Sequence, residues 1–220
     1  MKTKTRKQQQ AETRSRLMQS AARLFCRRGL EQASVDEVAR EAGYTKGAFY
    51  ANFRSKEELF LAMMDEKFAA EIDRLDEALR SGEDIDEQAR HAGEDFIRFA
   101  SGDGEWPRLF FEFAAYAARN DQFREEFMTR YRAMRERVTT LYQRRVTELG
   151  FEPPIDEVEK VAVMTTCMAN GFLMEKLLEP DLSEELYGTM MEIFIRGLGA
   201  IMEDEGTEAA SRATRAERGS

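Results

Sequence analysis

An all-α fold is predicted, with a small N-terminal helix-turn-helix unit joined to a larger helical body. Three observations predict it. Proline is scarce, at four in 220 residues, and charged residues make up 34% of a chain with few β-branched runs, a composition that favours helix over strand. Apolar residues recur at three- and four-residue spacing along most of the length. Two S-x-x-E pairs, Ser34 with Glu37 and Ser55 with Glu58, mark helix starts, and Gly29 and Gly43 mark helix ends. The divisions read as a basic disordered arm at 1–9, a helix-turn-helix unit at 10–60, a helical body at 61–203 and a disordered tail at 204–220. The chain is long enough to bury a sizeable core.

Residues 1–9 hold Lys2, Lys4, Arg6 and Lys7 with no acidic residue and, after Met1, no apolar one. Such a segment is disordered in isolation; it suits a basic arm in a minor groove or a plain solvated tail. A first helix is predicted over 10–28, with Leu17, Ala21, Leu24 and Phe25 in one stripe and Cys26 beside it. A second starts at Ser34, packs Val35, Val38 and Ala39, and ends at Ala42-Gly43. A third covers about 45–53. Phe49 and Phe53 share its core face, leaving Gly47, Tyr50 and Ala51 opposite, with Lys46 on the flank. Small residues let a backbone approach a flat polyanion, while a hydroxyl and an ammonium bind phosphate oxygens. Amides near Thr45 and Lys46 add partial positive charge. Charge agrees with this placement: residues 1–60 carry 13 Lys and Arg against 7 Asp and Glu, and the rest carries 20 against 35. The net charge of −9 therefore hides a basic head on an acidic body. On pattern alone DNA binding is the favoured reading, with a small bundle that packs two phenylalanines and binds nothing as the alternative.

Residues 43–59 resemble, almost position by position, the DNA-binding head of the TetR family of bacterial transcriptional regulators. Gly43 matches the turn glycine, Thr45-Lys46-Gly47 the start of the recognition helix, and Phe49-Tyr50 its aliphatic-or-aromatic–tyrosine pair. Phe53 matches the closing phenylalanine and Lys56-Glu57-Glu58-Leu59 the opening of the fourth helix. Two positions depart: Asn52 stands where the family usually has histidine, and Ala51 where a bulky residue is common. The resemblance implies DNA contacts, mostly to the backbone, by Thr45, Lys46, Gly47, Tyr50 and Lys56. Asn52 keeps the ability to bond a phosphate, and Ser34 and Tyr44 complete the candidate set. The resemblance also implies a homodimer and a small-molecule site in the middle of the body.

A fourth helix over about 56–79 carries Leu59, Phe60, Met63, Met64, Phe68, Ile72, Leu75 and Leu79 at helical period and joins head to body as a lever. A polar loop at 80–86, a helix at 85–100 and a break at 101–104 follow. The stretch 106–119 concentrates Trp106, Phe110, Phe111, Phe113 and Tyr116 around Glu112, with Pro107 suited to a first turn. A long helix at 122–149 adds Met128, Tyr131 and Met134. Most of these are ordinary core, yet adaptable aromatic and methionine walls also suit a small-molecule site. The candidate ligand set is Trp106, Phe110, Glu112, Phe113, Tyr116, Met128, Tyr131 and Met134, with Met164, Cys167 and Met168 from a later helix. A buried Glu112 would favour a cationic ligand; pairing with a nearby arginine is the alternative. Beyond Pro153-Pro154, residues 161–174 carry no charge and are too few to span a membrane. Such a helix must be buried on more than one side. The last helix, about 183–202, has the same apolar excess, and Ala169, Gly171, Gly197 and Gly199 would allow close approach. Val161, Thr165, Ala169, Phe172, Met190, Phe194, Leu198 and Ile201 form the candidate dimer interface, with deep burial in a monomer as the alternative.

Little remains for catalysis. His91 is the only histidine, Cys26 and Cys167 are far apart, and no His, Cys or carboxylate cluster forms a triad or metal set. No cofactor, metal or membrane partner is expected. Two separated cysteines and no signal peptide suit a reducing cytoplasm. The expected function is a ligand-responsive regulator, a repressor, that binds a palindromic DNA operator as a homodimer and is released by a small molecule. The alternatives are a redox sensor acting through Cys26 or Cys167, and a helical ligand-binding protein with a vestigial head.

Overall fold

The computed structural model describes residues 5–80, 84–102 and 105–218, with side chains up to Ile201. Among them the chain is helical, in the order α1 (Arg6–Gln32), α2 (Val35–Glu41), α3 (Lys46–Tyr50), α4 (Lys56–Ala78), α5 (Ile85–Ser101), α6 (Glu105–Arg119), α7 (Asp121–Glu148), α8 (Ile155–Leu178) and α9 (Glu184–Arg218).

In the head, local chemistry sets each boundary. A reciprocal capping box of Thr5 and Gln8 starts α1, so residues 6–9, expected within the disordered arm, are helical; residues 1–4 lie outside the described residues. Leu17, Ala21, Leu24 and Phe25 are buried as their spacing predicts. Gly29 breaks α1 at φ 76°, a conformation open to glycine, and one further helical turn follows. Ser34 and Glu37 form the predicted capping box at α2. Ser55 caps α4 by accepting from Glu58 N, but the Glu58 carboxylate takes the Arg54 amide instead, at 2.6 Å.

The body packs α5 to α9 beside the upper length of α4. Its tightest crossing is between α5 and α9, where Gly93 faces Gly188. A Cβ at Gly188 would stand 2.7 Å from Glu94 Cγ and 2.9 Å from the Arg90 carbonyl oxygen. The glycines expected to permit close approach, Gly171, Gly197 and Gly199, have open space beside them within this protomer. The α9 backbone is helical to Arg218, where the sequence predicts a disordered tail. Alanine, glutamate and arginine dominate there, and each has high helix propensity.

One hydrophobic core crosses the boundary between head and body. It runs from Leu17, Leu24, Phe25 and Phe49 through Phe60 and Phe68 to Phe110, Phe113, Phe123 and Phe127. Two smaller clusters lie deeper in the body: Ile97, Ala169, Phe172, Leu173, Tyr187 and Met191 between α5, α8 and α9, and Ile72, Val138 and Ala162 between α4, α7 and α8. By length and composition α8 alone among the described helices could cross a membrane, with mean hydropathy 1.2 over its most apolar stretch. In the fold one side of it supplies core.

Candidate nucleic-acid interface

The recognition helix α3 is short and held from below. Phe49 and Phe53 are fully buried, with ring centroids 5.8 Å apart. Burying each phenylalanine is worth about 2–3 kcal/mol, which fixes the opposite face outward. That face presents Thr45, Lys46, Gly47, Ala51 and Tyr50, the last 53% exposed and set edge-on against Phe49. Thr45 Oγ1 accepts the Ala48 amide at 3.2 Å, so the hydroxyl that caps the helix is held at its tip.

The other candidates divide. Ser34 is exposed, but its hydroxyl accepts from Glu37 N and donates to Glu37 Oε2. The Ser34 amide and hydroxyl, with Arg28 beside them, hold the Glu37 carboxyl below its ordinary range. Tyr44 is half-buried against the head core. Asn52, expected at a phosphate, turns its Nδ2 to the Ala48 carbonyl at 2.8 Å, and its Oδ1 is buried without a partner. Lys56, expected at the DNA backbone, donates to the carbonyls of Leu30 at 2.6 Å and Ala33 at 2.8 Å. Both side chains turn inward for one reason. The ends of short helices leave carbonyls unsatisfied, and a nearby side-chain N–H fills them. Exposed Arg40 and Arg54 lie in the same segment and were not anticipated; their positive charge was the available signal.

In the body, α6 brings Trp106, Phe110 and Phe113 against Phe60 and Phe68 of α4 and Phe127 and Tyr131 of α7. Trp106 and Phe68 meet edge-on at 6.2 Å, and Phe110 and Tyr131 lie 5.9 Å apart. Tyr116, Met128 and Met134 pack on the rim of this cluster. Glu112 does not join it: its Oε1 accepts the Leu30 amide of the head. Met168 belongs to the deeper α5–α8–α9 cluster, while Met164 and Cys167 are exposed. Cys26 is half-buried, its thiol donating to the Glu105 carbonyl at 3.5 Å.

Glu71 is a half-buried carboxylate of α4, and Lys67, also half-buried, stands one turn before it. Lys67 Nζ donates to the Phe99 carbonyl at 2.9 Å, sits 3.8 Å over the Phe99 ring and 5.9 Å from the Trp106 ring. Desolvation raises the Glu71 carboxyl to about 7, against the pull of Lys67. Burial also raises the Tyr131 hydroxyl, which accepts from Asn170 Nδ2. Sequence reasoning missed Lys67, Glu71 and Asn170. Lys67 and Glu71 interrupt the apolar stripe of Met64, Phe68, Ile72 and Leu75, and that interruption was legible. A polar groove of about 350 Å³ at the α8–α9 turn, with Glu94, Arg98, Lys176 and Glu184 in its lining, shares no residue with this cluster.

The outer faces of α8 and α9 carry two uncovered stripes. Met164, Cys167, Gly171, Met174 and Leu178 follow one another on α8, with Leu178 75% exposed. Leu186, Ile193 and Ile201 follow on α9, with Ile193 66% exposed. Of the expected interface residues, Ile201 is exposed, and Val161, Met190, Phe194 and Leu198 are half-buried. Thr165, Ala169 and Phe172, also expected at the interface, are buried within the protomer. A helix apolar on every side offers no period by which to choose.

A buried-phenylalanine recognition helix, held at the edge of a basic head on an all-helical body, defines a helix-turn-helix DNA-binding regulator. Residues 17–63 match the family model for bacterial regulatory proteins of the tetR family, and residues 86–200 match that for the C-terminal part of BetI-type transcriptional repressors. The chain belongs to the TetR family of transcriptional regulators. It is 36% identical over 101 residues to the transcriptional activator FasR of Mycolicibacterium smegmatis, covering 46% of each chain. It is 39% identical over 72 residues to the transcriptional repressor NemR of Escherichia coli K12, covering 33% of this chain and 36% of that one. These matches thus span half or less of those relatives' lengths. A TetR-family regulator from Mesorhizobium loti shares the fold over 90% of this chain and 98% of its own, with TM-score 0.71 at 18% identity. The fatty acid degradation regulator FadR of Bacillus halodurans does so over 87% and 95%, with TM-score 0.69 at 14% identity.

Proposed function

We propose that this regulator binds a palindromic operator as a homodimer, acts as a repressor, and is released when a small molecule enters the body. The observation that carries the reading is the outward face of α3, where Lys46, Gly47 and Tyr50 stand on a helix anchored by Phe49 and Phe53. Lys46 and Tyr50 serve as phosphate and groove contacts, and Gly47 lets the backbone close on the duplex. The uncovered stripes of α8 and α9 support a homodimer, since pairing them with a second copy buries apolar surface that this protomer leaves wet. The aromatic cluster around Trp106, Phe110 and Tyr131, with Glu71 and Lys67 beside it, supports the small-molecule site. The repressor reading draws on the C-terminal match to BetI-type repressors and on NemR, with the activator FasR as the counterexample.

The test is a binding titration of the purified protein against fragments of its own upstream DNA at two salt concentrations. Fragment-selective binding that weakens steeply with salt is the expected result. Equal, weak binding to every fragment at both salts would overturn the operator reading.

A further inference from the structure

The turn at residues 29–33 leads directly into Ser34 and the helix-turn-helix, and it is gripped from two sides. Gly29 interrupts α1 and leaves the Leu30 amide without its intrahelical acceptor. The carboxylate of Glu112, in the middle of α6, accepts that amide. The carbonyl of the same residue, together with that of Ala33, is held by Lys56, the first residue of α4. The contact depends on Gly29, because a Cβ there would lie 2.9 Å from Glu112 Oε1. Around it, α6 touches the head twice more. Phe113 stacks on Phe60 at 3.4 Å and meets Phe25 edge-on at 5.7 Å, and the Glu105 carbonyl takes the Cys26 thiol. Trp106 and Phe110, on the same helix, belong to the aromatic interior with Phe68.

We infer that Glu112 is a positioning residue: through the Leu30 amide it ties the head to α6, so that a displacement of α6 within the body is passed to α2 and α3. This rests on the reading that the body governs the head, and it extends that reading to one side chain. A rigid helix with aromatic contacts at one end and a charged bond to the head at its centre has no means of moving one without the other. Reciprocity follows: DNA bound at the head must then be felt in the body.

Hydrogen–deuterium exchange of the full-length protein and its Glu112→Ala and Glu112→Gln variants tests the tie without ligand or DNA. In E112A, exchange over residues 30–45 should quicken by roughly tenfold or more while α7 and α8 keep their protection. E112Q, whose amide oxygen still accepts the Leu30 N–H, should recover part of the difference. Unchanged exchange at 30–45, equal acceleration in α7 and α8, or no recovery in E112Q would each overturn the inference. The lone tryptophan, Trp106, supplies a second readout. Its emission should change when the upstream fragment is bound by the wild type, and change distinctly less when the same fragment is bound by E112A. The same change in both proteins would overturn the coupling. If no fragment binds selectively, the operator reading fails alone and the exchange result still decides the tie.

Discussion

Two lysines of one motif take different work. Lys46 is exposed on α3, and Lys56 is folded back onto the carbonyls that end α1. Lys46→Ala should leave the unfolding midpoint unchanged and reduce the salt slope of DNA binding by roughly one, read from the titration above. Lys56→Met should do the reverse. Stranding two backbone acceptors costs about 1–3 kcal/mol, which urea unfolding would measure. Glu71 predicts a pH dependence. Its folded carboxyl titrates near 7, above its ordinary 4.5, so the folded state binds the proton more tightly than the unfolded chain. Stability from this group is complete below pH 4.5 and is lost as pH rises through 7. Glu71→Gln should therefore flatten the stability profile over that window and gain up to about 3 kcal/mol at pH 8, at matched protein concentration. The side chains that escaped the sequence reading share a cause. Whether Asn52 or Lys56 points to solvent or to a backbone carbonyl depends on which carbonyls the neighbouring turns leave open, and only the folded chain decides that.

Among the elements, α1 to α4 were legible because strong local signals coincide there: the Ser34 and Ser55 caps, two stop glycines and an amphipathic stripe all agree. The body was legible as helices and less so as faces. On α8, threonine, alanine, methionine and glycine surround the axis, and the buried side is picked by Phe172 and Leu173 meeting Tyr187 and Met191 of α9. That choice lies in the partner helix. The α5–α9 crossing was also invisible, since Gly93 and Gly188 are 95 positions apart and neither breaks its helix. Gly188→Ala should force its methyl onto Glu94 and the Arg90 carbonyl and cost about 1–3 kcal/mol. A lowered melting temperature with unchanged helical content would record it.

For the molecule as a whole, the uncovered stripes of α8 and α9 set the expected assembly. Replacing Met174 and Ile193 together by glutamate places charge on both stripes without touching a buried residue. The double variant should sediment as a monomer, retain its helical circular dichroism, and bind the upstream fragment at least tenfold more weakly, because one head then reads one half-site. A dimer of unchanged affinity would move the interface elsewhere.

The core that runs from Phe25 and Phe60 into Phe113 and Phe127 bears on how such a protein can be recombined. Residues 1–60 cut loose would expose Phe25 and Phe60 to water, so the reader of DNA is not a portable part. A chimera that takes a head from one regulator and a body from another inherits a seam of aromatic rings that were fitted to different neighbours. Exchange of specificities should succeed when the cut carries α6 with the head, and fail when it falls after residue 60.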